Sequence, residues 1–146
     1  MPQPLFRWPV RVYYEDTDAG GIVYYANYLK FFERCRTEWL RALGVDQAEM
    51  VRRDGVQFVV TEVEAGYRRP ARLDDELVVD AMLASSRQVS LVFEQRAWRG
   101  TELLATGRVK VACVDCTRLV PARIPARVLQ VLPVVLPVVL PVVPPR

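Results

Sequence analysis

Residues 26–43 read ANYLKFFERCRTEWLRAL, and their spacing decides what the rest of the chain must do. Tyr28, Phe32, Cys35, Trp39 and Leu43 recur every three or four positions, the period of an α-helix. Leu29, Phe31 and Leu40 widen that apolar stripe, while Lys30, Glu33, Arg34, Arg36, Glu38 and Arg41 fall on other faces. The pattern predicts an amphipathic helix of about five turns from Ala26 to Leu43, with Gly44 as the residue just past its end. A stripe this broad and aromatic implies heavy burial, so the neighbouring segments must cover it.

Those neighbours are strand-like. FRWPVRVYYE, residues 6–15, is rich in aromatic and β-branched types and carries a proline near its start. A short polar segment ends at Gly55. VQFVVTEVEAGY (56–67) then alternates, with a bend expected at Gly66, and ELVVDAMLASS (76–86) and SLVFEQRAWR (90–99) follow, with Arg87 and Gln88 near the turn between them. GTE turns the chain into LLATGRVKVACVD, residues 103–115. Four long strands with short connections predict an antiparallel meander. One strand, one long helix and four strands make an α+β fold with the helix packed on one face of the sheet.

The chain of 146 residues fits one ordinary domain, and charged residues at 25% and aromatics at 10% are normal for a globular protein. A net charge of +3 suits a small anionic ligand but gives no footprint for nucleic acid. Cys113 and Cys116 form a C-x-x-C, yet without a second pair or any histidine a zinc site lacks ligands, and no metal is expected. Cys35 and these two read instead as free thiols in a reducing compartment. MPQPLFRWPV has no basic stretch leading into an apolar one, so no signal peptide is expected and the cytoplasm is the default. The absence of histidine matters most. It removes imidazole bases and histidine-activated nucleophiles, leaving carboxylates, tyrosines, lysines and backbone dipoles for any hydrolysis.

A tail is expected from residue 128 to 146, after a folded domain of residues 1–127. It repeats Leu-Pro-Val-Val, and Pro133, Pro137 and Pro141 would each cost about 3 kcal/mol inside a helix. An extended or polyproline-like segment fits better than a membrane span.

The densest acidic cluster stands immediately before the helix, in EDTDAGGIVYYANY, residues 15–28. A helix start offers unpaired backbone N–H groups and partial positive charge, which can polarise a carbonyl and hold the oxyanion that forms from it. Gly20 and Gly21 allow close backbone approach, and a carboxylate from Asp16 or Asp18 could attack the carbonyl or position a water. The ingredients suit acyl transfer to water. The same residues are also ordinary turn and capping chemistry, and either aspartate could serve only to cap amides.

RVYYEDTDAGGIVYYANYLKFFERCRTEWLRALG, residues 11–44, closely resembles the N-terminal signature of the 4-hydroxybenzoyl-CoA thioesterase family, and YRRPARLDDEL, residues 67–77, is similar to a second element of that family. Among its members the chain looks most like the acyl-CoA thioesterases associated with the Tol-Pal cell-envelope system. The resemblance covers residues 6–120 and implies a hotdog fold, a five-stranded antiparallel sheet wrapped around one long central helix. It implies that Asp18 is the catalytic nucleophile or general base, and that the backbone N–H of Tyr25 polarises the thioester carbonyl. Asp16 would order the turn, and Asn27 would cap or bridge the loop. Arg68, Arg69 and Arg72 become candidates for the coenzyme A phosphates, because guanidinium pairs with phosphate through two parallel hydrogen bonds.

Tyr25 stands where the Tol-Pal-associated enzymes commonly carry histidine and the 4-hydroxybenzoyl-CoA enzymes carry tyrosine; a backbone amide is unaffected by that exchange. The resemblance further implies an acyl-CoA substrate, no cofactor, and a homodimer or homotetramer with sites between subunits. An acyl-carrier-protein thioesterase and a non-catalytic acyl-binding scaffold of the Tol-Pal system are the alternatives. The hotdog dehydratases are disfavoured, since they resemble a pattern that needs histidine.

Overall fold

A computed structural model describes residues 3–135. Strand β1 (Phe6–Arg11) leads through an ordered loop to helix α1 (Tyr28–Ala42), which is followed by β2 (Val56–Tyr67), β3 (Glu76–Ser86), β4 (Ser90–Arg99) and β5 (Glu102–Asp115). The strands form one antiparallel sheet in the order β1-β3-β4-β5-β2, the α+β architecture expected of a hotdog fold.

Strand alternation decides which face the helix covers. Leu77, Val79, Ala81 and Leu83 of β3, Leu91, Phe93 and Ala97 of β4, and Ala105, Val109, Val111 and Cys113 of β5 are all buried. They pack with Phe31, Phe32, Cys35, Trp39 and Leu40 of α1 in two apolar clusters along the helix. Phe31 and Phe32 are fully buried, and such rings contribute about 1.5–3 kcal/mol apiece. Phe32 lies so close to β5 that a Cβ on Gly107 would sit 2.7 Å from its ring, so glycine is required there by approach. Trp39 meets Phe93 edge to face, with centroids 5.2 Å apart.

A buried polar network crosses this interface. Arg36 Nη1 donates to Gln95 Oε1 at 3.0 Å, and Gln95 Nε2 donates to the Phe32 carbonyl at 3.0 Å and the Asp80 carbonyl at 3.4 Å. Both side chains are buried, and burial pulls the Arg36 guanidinium below its ordinary pKa, against the opposing pull of Glu33.

Several sequence expectations are corrected. The first strand stops at Arg11, because Tyr14–Asp16 curl into a 3-10 turn. The helix begins two residues late, behind a second 3-10 turn at Tyr25–Asn27, and Gly44 does follow it with φ +87°. The polar segment before Gly55 is helical: Asp46 accepts from the amides of Ala48 and Glu49, opening α2 (Gln47–Glu49), and a π-type turn continues to Asp54. Asp46 followed by Glu49 was a legible N-terminal signal.

The meander holds only for β3, β4 and β5. Strand β2 pairs with β5 at the far edge, and residues 68–75 carry the chain back to β3. That connection contains Pro70 and is too long for a tight hairpin. The irregularity in β2 falls between Val60 and Glu62, while Gly66 stays in register opposite Thr106.

The border expected after residue 127 falls inside a packed segment. Helix α3 (Ala126–Leu129) brings Val128 and Leu132 into the second apolar cluster beside Ile124, with only 2% and 9% of their surface exposed. The prolines that begin at Pro133 mask the apolar spacing of Val128 and Leu132 in the sequence. The later repeats, from residue 136, and their polyproline-like reading lie outside the described residues.

Candidate active site

The acidic stretch folds into a small hairpin set against the start of α1. Thr17 bridges Val23, the Asp18 amide donates to the Ile22 carbonyl at 2.9 Å, and Gly21 turns the chain with φ +78°. Asp16 and Asp18, two residues apart, face different worlds. Asp16 is 4% exposed. Its Oδ2 accepts from the Tyr13 amide at 2.8 Å, and its Oδ1 accepts from Asn27 Nδ2 at 2.7 Å. A buried carboxylate with both oxygens bonded is an organiser. Asn27 therefore bridges loop and helix.

Asp18 is exposed. Its Oδ1 accepts from the Gly20 amide at 2.8 Å, and its Oδ2 has no partner among the described residues. The loop thus orients this carboxylate with one backbone bond and leaves one oxygen for chemistry. Tyr25 opens the 3-10 turn that runs into α1, where the first amides have no partner within the turn. Tyr25 is 61% exposed, and its ring lies 5.0 Å from that of Tyr24 and 5.9 Å from that of Tyr67. Tyr67 also meets Tyr28 in a tilted ring contact at 5.6 Å, so the end of β2 and the start of α1 share one aromatic wall. Tyr67 carries no sequence signal for this role, because only tertiary packing brings the end of β2 beside the helix start. Burial pushes the Tyr28 hydroxyl above its ordinary pKa, so it stays protonated as part of that wall.

The three arginines do not behave as one group. Arg68 is half-buried, and its amide donates to the Leu104 carbonyl at 2.8 Å. Arg69 is exposed and pairs with Glu102 at 3.4 Å. Arg72 is exposed, and its backbone joins the acidic hairpin through a bridge to Ile22. The segment carrying them is fixed by Arg99, the last residue of β4, whose sequence gives no sign of the role. Arg99 Nη1 donates to Asp75 Oδ2 at 2.7 Å and to the Pro70 carbonyl at 3.1 Å. Burial alone would raise the Asp75 carboxyl; the Arg72 amide and the Arg99 guanidinium outweigh it and hold it below the usual range. The Val23 amide donates to the Ala71 carbonyl at 2.9 Å, which closes residues 68–75 onto the hairpin. Among the described residues no group of three or more Cys, Asp or Glu side chains is arranged to hold a metal.

One five-stranded antiparallel sheet wrapped on one long helix is the architecture of a hotdog fold. Residues 12–132 match the family model described as the thioesterase-like superfamily, and the chain belongs to that family. It is 47% identical over 116 residues to the acyl-CoA thioesterase YbgC of Haemophilus influenzae, covering 80% of this chain and 85% of that one. It is 48% identical over 122 residues to the acyl-CoA thioester hydrolase YbgC of Escherichia coli O6:H1, covering 83% and 90%. Among solved structures, a probable thioesterase from Bartonella henselae superposes with a TM-score of 0.76 at 32% identity, over 84% of this chain and 100% of that one. A 4-hydroxybenzoyl-CoA thioesterase variant solved with 4-hydroxybenzoyl-CoA gives 0.80 over 87% of this chain and 97% of that one; at 20% identity it shows the shared fold.

Proposed function

We propose that this protein hydrolyses acyl-CoA thioesters to a free acid and coenzyme A, with Asp18 as nucleophile or general base. The observation that carries this reading is the Asp18 carboxylate: exposed, oriented by the Gly20 amide, and two residues along the chain from Asp16, which bonds Asn27 just ahead of α1. The Tyr25 amide takes the thioester carbonyl oxygen, where the helix start favours the negative charge that develops on attack. As a base, Asp18 removes a proton from water while the water oxygen bonds the carbonyl carbon. The tetrahedral oxyanion then collapses, the C–S bond breaks, and the thiolate leaves and takes up a proton. As a nucleophile, Asp18 displaces the thiolate directly, and water then cleaves the resulting anhydride.

Arg72, exposed and joined to the hairpin, is the best placed of the three arginines for a coenzyme A phosphate, with Arg69 second because Glu102 already engages it. The free edge of β2 supports pairing of two copies, since Val60, Val63 and Tyr67 are exposed along it. Three unpaired cysteines favour a cytoplasmic setting, and among the described residues no helix is long and apolar enough to cross a membrane.

The test is thiol release from a panel of aliphatic and aromatic acyl-CoA esters and one acylated carrier protein. Wild type should turn over at least one ester, and Asp18→Asn should lose activity by orders of magnitude with its fold intact. No hydrolysis of any ester, or equal rates for the two proteins, would overturn the reading.

A further inference from the structure

The face of the sheet turned away from α1 carries a second site. Arg7, Asp80 and Arg96 stand in register across β1, β3 and β4. Asp80 is 1% exposed. Its Oδ2 accepts from Arg96 Nε at 3.1 Å and Trp98 Nε1 at 3.0 Å, but its Oδ1 is buried with no partner among the described residues. Such an orphaned oxygen is uncommon in folded proteins and asks for a donor. Asp80 stands in the wall of a cavity of about 380 Å³, with Leu5, Val78 and Trp98 beside it and Gly100 and Thr101 at the β4–β5 turn. Arg7 also lines it, is exposed, and makes no ion pair among the described residues although it lies directly across from Asp80. Burial raises the Asp80 carboxyl, against the Trp98 and Arg96 bonds that lower it, so a further donor at Oδ1 would relieve the site.

The inventory defines a ligand: one donor to reach a buried acceptor, a flat apolar body to lie along indole, and an anion for Arg7. We propose that this cavity binds an adenine nucleotide, with the exocyclic amine donating to Asp80 Oδ1, the base against Trp98 and the phosphate on Arg7. Only one acceptor is open, because Oδ2 is already used, so a guanine edge with two adjacent donors would leave one unpaired. The cavity lies within the 300–1,000 Å³ range usual for small-molecule sites. It sits on the β1 side of the sheet, away from the β2 edge invoked for pairing, so dimerisation there leaves it open. The nucleotide has two sources, a free adenylate or the nucleotide end of coenzyme A; only the second rests on the proposed thioesterase activity.

Calorimetry on the full chain separates these cases, using AMP, GMP, inorganic phosphate and coenzyme A. AMP should bind, GMP should bind at least about tenfold more weakly, and Arg7→Ala should weaken AMP by about tenfold, the scale of one charge-assisted contact. Asp80→Asn should weaken it further; because that change is buried, the exposed Arg7→Ala keeps the test independent of folding. Displacement of AMP by coenzyme A, with the same loss in Arg7→Ala, assigns the carrier as source, while binding of AMP alone assigns a free nucleotide; either supports the site. No heat with AMP, equal binding of GMP, or full competition by phosphate at Arg7 would overturn it.

Discussion

Replacing Asp16 with asparagine separates the organising carboxylate from the reactive one. Asparagine keeps one acceptor oxygen and converts the other to an amino group. That group faces either the Tyr13 amide, donor against donor, or Asn27, which must then turn its amide over to offer Oδ1; in both arrangements a charge-assisted bond, of the two at 2.8 and 2.7 Å, is lost. Hydrogen bonds to a charged acceptor are worth about 1.5–3 kcal/mol, and at 4% exposure water cannot replace the lost one. A loss of about 2–3 kcal/mol should lower Tm by roughly 10 °C in a domain of this size. Asp18→Asn alters one exposed contact and should stay within about 0.5 kcal/mol of wild type. Thermal melts followed by circular dichroism, paired with thiol-release rates below both transitions, give the comparison. Asp16→Asn should melt early yet retain part of its activity; Asp18→Asn should melt normally and be inactive. The reasoning fails if the two melts coincide or if Asp18→Asn is the less stable protein.

Gly107→Ala should cost about 1–3 kcal/mol in urea unfolding, because its methyl would press on the Phe32 ring at 2.7 Å. A chain ended after residue 125 should be less stable than one ended after residue 135 by about 3 kcal/mol, the burial of Val128 and Leu132, as measured by the same titration. Burial pushes the Cys35 thiol up to about 12 and the Cys113 thiol up to about 11, so at pH 8 a disulfide reagent should titrate Cys116 quickly and the other two only after denaturation.

The fold was legible wherever a period ran long enough. Five strands and one helix were readable because α1 and β1–β5 each sustain their period over two or more turns or pleats. The sheet order was not readable, since the side chains of β2 fit equally well beside β3 or β5, and only the path of residues 68–75 decides it. In the site, two roles for Asp16 and Asp18 came from the resemblance; the structure buries the first and exposes the second, a difference that no spacing states. Arg99 and Tyr67 were missed for a common reason. Each ends a strand, and its partners are brought near by tertiary packing alone.

The bond between Arg36 and Gln95 has an evolutionary consequence. Gln95 serves the helix carbonyl of Phe32 and the Arg36 guanidinium at once, so an apolar residue at 95 alone strands a buried cation. Loss of Arg36 alone leaves the Gln95 oxygen bare. Each single change carries the full desolvation cost of the abandoned group, whereas a matched pair of apolar residues could be nearly neutral. A lineage can therefore leave this pairing only by two substitutions together, and every path through one crosses a less stable intermediate. The pair can persist through descent because its exits are barred, even if an oily replacement would fold as well.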